Sequence, residues 1–181
     1  MLNFKHLQVS MIRIRDKDYN LMSNTHLHKA KRKKNDEFYT RITDIEKELS
    51  HYQDQLEGLW VYSPCSDYRW SNFVKYFKDN FKKLNLKHYT STCYDIGDGA
   101  WRYDYDGETE TITQLEENGD FRSPECTAIK DTCDIVIENP PFSLWRDFIY
   151  WLNDGTFHKN DKGEYVRDDL TRKNGQKNDE K

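Results

Sequence analysis

The sequence predicts an α/β domain built on a mostly parallel sheet. Three observations carry that expectation. Short runs rich in β-formers recur along the chain, apolar stripes at helical spacing stand between them, and turn residues punctuate the junctions. At 181 residues the chain has the length of one ordinary domain with a single buried core. Hydrophobic residues at 35% barely exceed charged residues at 33%, yet aromatics reach 14%, so the expected picture is a folded centre with hydrophilic ends.

Residues 1–34 read as a polar, basic N-terminal arm without a sustained period, and Met22 offers a second plausible start. A helix is expected from Thr43, where Thr43-x-x-Glu46 fits a capping box and Ile45, Leu49, Tyr52 and Leu56 share one face before Gly58. Leu59-Trp60-Val61-Tyr62-Ser63 reads as a buried strand ended by Pro64. Phe73, Phe77, Phe81 and Leu84 form the stripe of a second helix and belong to the core. His88 through Tyr94 is a second strand. Trp101, Tyr103 and Tyr105 then alternate up to Asp106-Gly107, and Thr109 and Thr111 alternate beyond it, which predicts a hairpin leaving the main sheet. Thr111 through Leu115 is a candidate for the next sheet strand.

Ser123-Pro124-Glu125 supplies an N-cap, a proline at the first helical position and an early acid, so a helix starts there. Asp134-Ile135-Val136-Ile137-Glu138 is the strongest buried strand and runs directly into Asn139-Pro140-Pro141-Phe142. A last helix uses Leu144, Phe148, Trp151 and Leu152. Residues 154–181 turn hydrophilic and read as a partly disordered tail with a small hairpin near Lys162-Gly163, leaving 35–153 as the folded domain. In parallel α/β sheets ligands bind beyond the carboxyl ends of the strands, so the loops after Ser63, Tyr94, Leu115 and Glu138 are expected on one rim.

The chemistry concentrates in those loops. An exocyclic amine is a poor nucleophile because its lone pair is delocalised into the ring, and a site helps by accepting hydrogen bonds from it. Asn139 provides a side-chain carbonyl acceptor and Pro140 a backbone carbonyl, with two prolines stiffening the loop. Phe142 offers a face on which a base can stack, at roughly 1–3 kcal/mol per base. A target inside a duplex has to flip out to reach such a loop. The plain alternative is that Asn-Pro-Pro ends a strand with a turn.

Asp120 of Gly119-Asp120-Phe121 can accept from an adenine amine and Phe121 can cover its ring, although Asp in a turn needs no special account. Phe38 and Tyr39, ahead of Thr40, either staple onto the following helix or line a cofactor. Lys29, Lys31, Arg32, Lys33 and Lys34 either touch phosphate or form a solvated arm; a net charge of −4 puts any DNA contact on such a local patch.

The order Phe-Tyr-Thr, Pro-Cys-Ser-Asp, Gly-Asp-Phe and Asn-Pro-Pro-Phe resembles amino-methylating DNA methyltransferases. The wording is most similar to the EcoRI-type adenine methylases at Lys34-Asn35-Asp36-Glu37-Phe38-Tyr39-Thr40, Arg69-Trp70-Ser71-Asn72-Phe73, Ser91-Thr92-Cys93-Tyr94-Asp95 and Gly119 through Cys126. The resemblance runs from about residue 22 to 152. It implies a Rossmann-like, S-adenosylmethionine-dependent fold that methylates the exocyclic amine of a flipped adenine in double-stranded DNA, in a bacterial or phage restriction–modification setting. It implies that Asn139, Pro140, Pro141 and Phe142 hold the target. It implies that Phe38, Tyr39, Thr40, Ser63, Cys65, Asp67, Asp120 and Phe121 line the cofactor site, with Asp95 as the candidate ribose ligand.

Two departures from that pattern stand out. The loop after the first strand is not glycine-rich, and the chain is short after the Asn-Pro-Pro-Phe helix. The expectation is therefore a domain incomplete at its C-terminus, inactive or dependent on a missing half or on self-association. Other readings are a methyltransferase for RNA or a protein glutamine amide, or a non-catalytic cofactor- or DNA-binding remnant. Cys65, Cys93, Cys126 and Cys133 lack the paired spacing of a zinc site, so no metal is expected. No run approaches the roughly 18 apolar residues of a membrane span and no signal peptide is visible, so a cytoplasmic location is expected.

Overall fold

The computed structural model describes residues 40–170. The elements are α1 (Ile42–Leu49), β1 (Trp60–Ser63), α2 (Asn72–Asn80), β2 (His88–Cys93), β3 (Trp101–Tyr105), β4 (Glu110–Gln114), α3 (Pro124–Thr132), β5 (Ile135–Val136), α4 (Trp145–Leu152), β6 (Phe157–Lys159) and β7 (Tyr165–Arg167). Short 3-10 turns lie at Gln53–Gln55 and Phe142–Leu144.

The main sheet has the order β4-β3-β2-β1-β5. β1 pairs in parallel with β2 and with β5, whereas β2–β3 and β3–β4 are antiparallel, so the sheet is mixed. The hairpin expected to leave the sheet is instead continuous with it. The loop from Tyr94 to Ala100 is too short for a parallel crossover, which needs a dozen residues or more, so the chain turns back beside β2. Two antiparallel steps restore the direction of β2, so β4 ends on the same rim as β1, β2 and β5. β4 is the outer strand, exposed along its whole length.

Side chains alternate between two cores, as period-2 strands require. Val61, Tyr89, Ile135 and Ile137 pack with Ile45 and Leu49 of α1 and Phe73, Val74 and Phe77 of α2. Tyr62 and Val136 point the other way, towards Cys126 and Ile129 of α3 and Phe148, Trp151 and Leu152 of α4. Phe81 and Leu84 are buried as their stripe predicts. The result is a sheet between two helical layers.

Local signals held unevenly. Ser123 caps α3 through its hydroxyl, 3.1 Å from the Cys126 amide, with Pro124 at the first position. Ser71 caps α2 by accepting from the Phe73 amide. The capping box at Thr43 does not form. α1 begins at Ile42 behind Arg41, so Thr43 is already helical and its hydroxyl cannot serve the free end amides; Arg41 instead pairs with Asp44 at 2.8 Å across the first turn. α1 also stops at Leu49, short of Leu56, which remains buried through the following turn.

β6 and β7 form the hairpin expected near Lys162-Gly163. It is seated on the domain: Phe157 packs against the second core, and Lys159 Nζ and the Tyr165 hydroxyl each donate to Glu117 at 2.8 Å. Among the described residues, no helix is long and apolar enough to cross a membrane and no His, Cys, Asp and Glu cluster could hold a metal ion.

Candidate active site

The chain leaves β1 towards β2 on one side and returns to β5 on the other, so β1 and β5 flank a topological switch point. The carboxyl ends of strands at such a point form a ligand crevice. The loop after β1 holds Pro64-Cys65-Ser66-Asp67, and the loop after β5 holds Asn139-Pro140-Pro141-Phe142. Trp70, Tyr94, Ile96 and Phe142, from the loops after β1, β2 and β5, are exposed large apolar side chains on this one rim. Water-facing aromatics gathered at strand ends suit a planar ligand.

Asn139 is half-buried and held from two directions. Its backbone amide donates to Glu138 Oε1 at 2.9 Å, and its side-chain Nδ2 donates to Thr40 Oγ1 at 3.0 Å. With the amino end anchored, the Oδ1 carbonyl is the acceptor left for a ligand. Asn72 Nδ2 donates to the Thr40 carbonyl at 2.8 Å, so the start of α2 fixes Thr40 in turn. Pro140 is buried, and among the described residues no donor engages its carbonyl. Phe142 is 64% exposed, free to take a flat partner.

The other predicted residues divide. Ser63 is buried beneath the rim and donates to the Ile137 carbonyl at 2.7 Å, tying β1 to β5. Asp67 is buried with both oxygens on Arg69, whose guanidinium also pairs with Asp98 of the loop after β2. Cys65 is half-buried, and its amide donates to Glu138. Asp95 stands at the end of β2, where Oδ1 accepts from the Gly97 and Gly99 amides at 2.7 and 3.0 Å. Those amides hold its carboxyl below the usual range.

Asp120 is buried and gripped by Arg122, which bonds Oδ1 at 2.9 Å and Oδ2 at 2.8 Å and reaches Asp147 at 2.8 Å. Arg122 in turn lies among the rings of Phe121, Phe157 and Tyr165, so the β6–β7 hairpin covers this pair. Phe121 is a core residue, 5.2 Å from Phe148 and 5.4 Å from Trp151 by ring centres. Gly119 (φ +71) lets this loop touch β2: a Cβ there would fall 2.0 Å from the Cys93 carbonyl oxygen. Phe38, Tyr39 and the basic residues Lys29, Lys31, Arg32, Lys33 and Lys34 lie outside the described residues.

Two site residues escaped the sequence reading. Glu138 looks in the sequence like the polar end of an apolar strand, and only the rarity of a buried carboxylate without partners marks it. Arg122 carries no signal of its own, since an Arg two residues after an Asp is common on any surface.

The sheet order defines a mixed α/β domain, with polar acceptors and an exposed aromatic on the rim at its switch point. The family described as adenine-specific methyltransferase EcoRI matches residues 26–111 and 100–160, and the chain belongs to that family. Relatives include the type II methyltransferase M.EcoRI of Escherichia coli, 38% identical over 70% of this chain and 44% of its own length. M.MgeORF184P of Mycoplasma genitalium is 39% identical over 68% of this chain and 39% of its length. M.MpnI of Mycoplasma pneumoniae is 35% identical over 70% of this chain and 40% of its length. The chain thus spans less than half the length of the curated relatives it matches. No solved structure matches it.

Proposed function

We propose that this chain is the catalytic-loop-bearing part of a site-specific DNA adenine methyltransferase that uses S-adenosylmethionine. The observation that carries the reading is the Asn139 carboxamide, anchored at its amino end by Thr40 and standing beside the Pro140 carbonyl, unengaged among the described residues, and the exposed Phe142 ring. Membership in a family described as adenine-specific, with relatives named type II methyltransferases, supports the substrate.

In this reading Asn139 Oδ1 and the Pro140 carbonyl accept from the exocyclic amine and draw electron density back onto its nitrogen. Phe142 stacks on the flipped base, contributing roughly 1–3 kcal/mol. The cofactor fits the donor set on a Rossmann-like rim: Asp95 keeps Oδ2 for ribose hydroxyls, Asp120 retains lone pairs beyond Arg122 for an adenine amine, and Phe121 forms the floor. Cys65, Thr40, Phe38 and Tyr39 complete its lining, with Ser63 and Asp67 shaping the loop from beneath. When bound, S-adenosylmethionine supplies an electrophilic methyl group on a cationic sulfur. The basic run at Lys29 to Lys34 meets phosphate.

Two measurements test this. Calorimetry with S-adenosylmethionine decides the cofactor half, and absence of binding refutes it. Transfer of labelled methyl to unmethylated duplex DNA, RNA and protein decides the substrate half. Label at the adenine amine that disappears in Asn139→Ala is the expected result; label on RNA or protein instead overturns the assignment.

A further inference from the structure

Glu138 ends the β5 segment as a buried carboxylate with no ion-pair partner among the described residues, and three hydrogen bonds end on it. Oε2 accepts from the Cys65 amide at 3.0 Å and the Ser66 hydroxyl at 2.8 Å; Oε1 accepts from the Asn139 amide at 2.9 Å. The Ser71 hydroxyl, capping α2, donates to Ser66 Oγ at 2.9 Å. Asn72, next in the chain, holds Thr40, and Thr40 holds the Asn139 side chain. The links close a ring: Glu138, Ser66, Ser71-Asn72, Thr40, Asn139 and back to Glu138. The ring ties three segments together, Thr40 ahead of α1, Ser66 to Asn72 between β1 and α2, and Glu138-Asn139 after β5, and the one carboxylate in it is the acceptor on which the donors converge.

We propose that Glu138 is a positioning residue: its carboxylate holds the loop after β1 in register with Asn139, so that the cofactor side and the target side of the site are set by one group. What it positions rests on the methyltransferase reading; the clamp itself is geometry.

Its protonation state matters because every contact is to an acceptor oxygen. Burial pushes the carboxyl up to about 7 against the opposing pull of the Asn139, Ser66 and Cys65 donors. The groups that face it are polar and not ionised near neutrality. The β1 loop offers an amide and a hydroxyl and the β5 loop an amide, while the Ser71 hydroxyl at the start of α2 reaches only Ser66. Tyr89 of β2, which feels its charge, is itself raised well above its ordinary value by burial. The acid of the β1 loop, Asp67, is paired with Arg69. Protonation turns one oxygen into a hydroxyl, itself a donor and a poorer acceptor, so the donors that converge on it are weakened or displaced.

The test uses the full chain and begins with backbone amide resonances followed through neutral pH. The Cys65 and Asn139 amides should titrate together with one midpoint near 7. Glu138→Gln should abolish both titrations. Calorimetry with S-adenosylmethionine should show binding about tenfold weaker at pH 6 than at pH 8, the fraction of clamped protein setting the apparent affinity. Glu138→Gln should lose that dependence, and Glu138→Asp, which keeps an ionisable group, should retain it. Amides that titrate independently or not at all, or a Gln variant with unchanged pH dependence, overturn the proposal. Coupled amide titration in a protein that binds no cofactor leaves the clamp standing and removes the methyltransferase reading. If Glu138→Gln does not fold, the wild-type amide titration decides.

Discussion

Gly119→Ala separates two effects that a single glycine usually confounds. Gly119 and Gly58 share φ +71, but nothing lies within 4 Å of a Cβ built on Gly58, whereas one on Gly119 falls 2.0 Å from the Cys93 oxygen and 2.9 Å from the Ala100 Cβ. Both substitutions incur the left-handed backbone penalty, about 1–2 kcal/mol. Only the second meets a strand backbone that no rotamer change can move aside, which adds about 1–3 kcal/mol by analogy with overpacking. Relief requires the loop to withdraw from β2, breaking the 2.9 Å bond from the Asp95 amide to the Asn118 carbonyl, a further 1 kcal/mol or so. Gly58→Ala is therefore expected to lose about 1–2 kcal/mol and Gly119→Ala about 3–6 kcal/mol. Urea unfolding followed by tryptophan fluorescence measures both. In the proposed site, cofactor affinity should fall in Gly119→Ala and hold in Gly58→Ala, because only the former parts Asp120 from Asp95. Equal destabilisation of the two variants would refute the close-approach argument.

Other perturbations give separate readouts. Glu138 has a folded carboxyl near 7 against an ordinary 4.5, so its native state keeps a proton that the unfolded chain has released between those values. The stabilisation that the protonated carboxyl gives is fully present below pH 4.5 and lost as pH rises through 7, about 3 kcal/mol in all, so the ionised clamp forms at the expense of global stability; the wild-type minus Glu138→Gln difference in urea midpoints should show it, and parallel curves would remove it. Asp104 behaves oppositely: burial raises its carboxyl, but hydrogen bonds from His88, Arg102 and Thr90 outweigh that and bring it to about 2, so its stabilisation is lost as pH falls from 3.8 through that value. Acid unfolding of Asp104→Asn should accordingly be shallower in that range. Arg122→Met leaves Asp120 and Asp147 without their partner and should destabilise by about 3 kcal/mol, with Asp147→Asn in the same background recovering part of the loss. Phe142→Ala, at an exposed ring, should leave the unfolding midpoint within about 0.5 kcal/mol while weakening any stacked base by about 1–3 kcal/mol.

Much of this architecture was legible in the chain because it rests on local periodicity. The stripe Phe73, Phe77, Phe81 and Leu84, the Ser123-Pro124 helix start, the alternation Trp101, Tyr103, Tyr105 and the run Ile135-Val136-Ile137 each specify an element through spacing alone. The Asn-Pro-Pro-Phe loop was likewise visible, because it follows an apolar strand directly. Partnerships were not legible. That β3 pairs with β2 depends on a short loop folding back rather than crossing over. That Thr43 yields its capping role depends on Arg41 and Asp44 closing the first turn. That Asp67 and Asp120 are held by Arg69 and Arg122 depends on side-chain packing around each loop. Glu138 marks the division most clearly. Its position beside Asn139 is sequence, but its donors Cys65 and Ser66 lie more than seventy residues away, 73 and 72 positions back. Only the parallel pairing of β1 with β5 sets those loops side by side, and hydrogen bonds between segments so distant form no pattern along the chain.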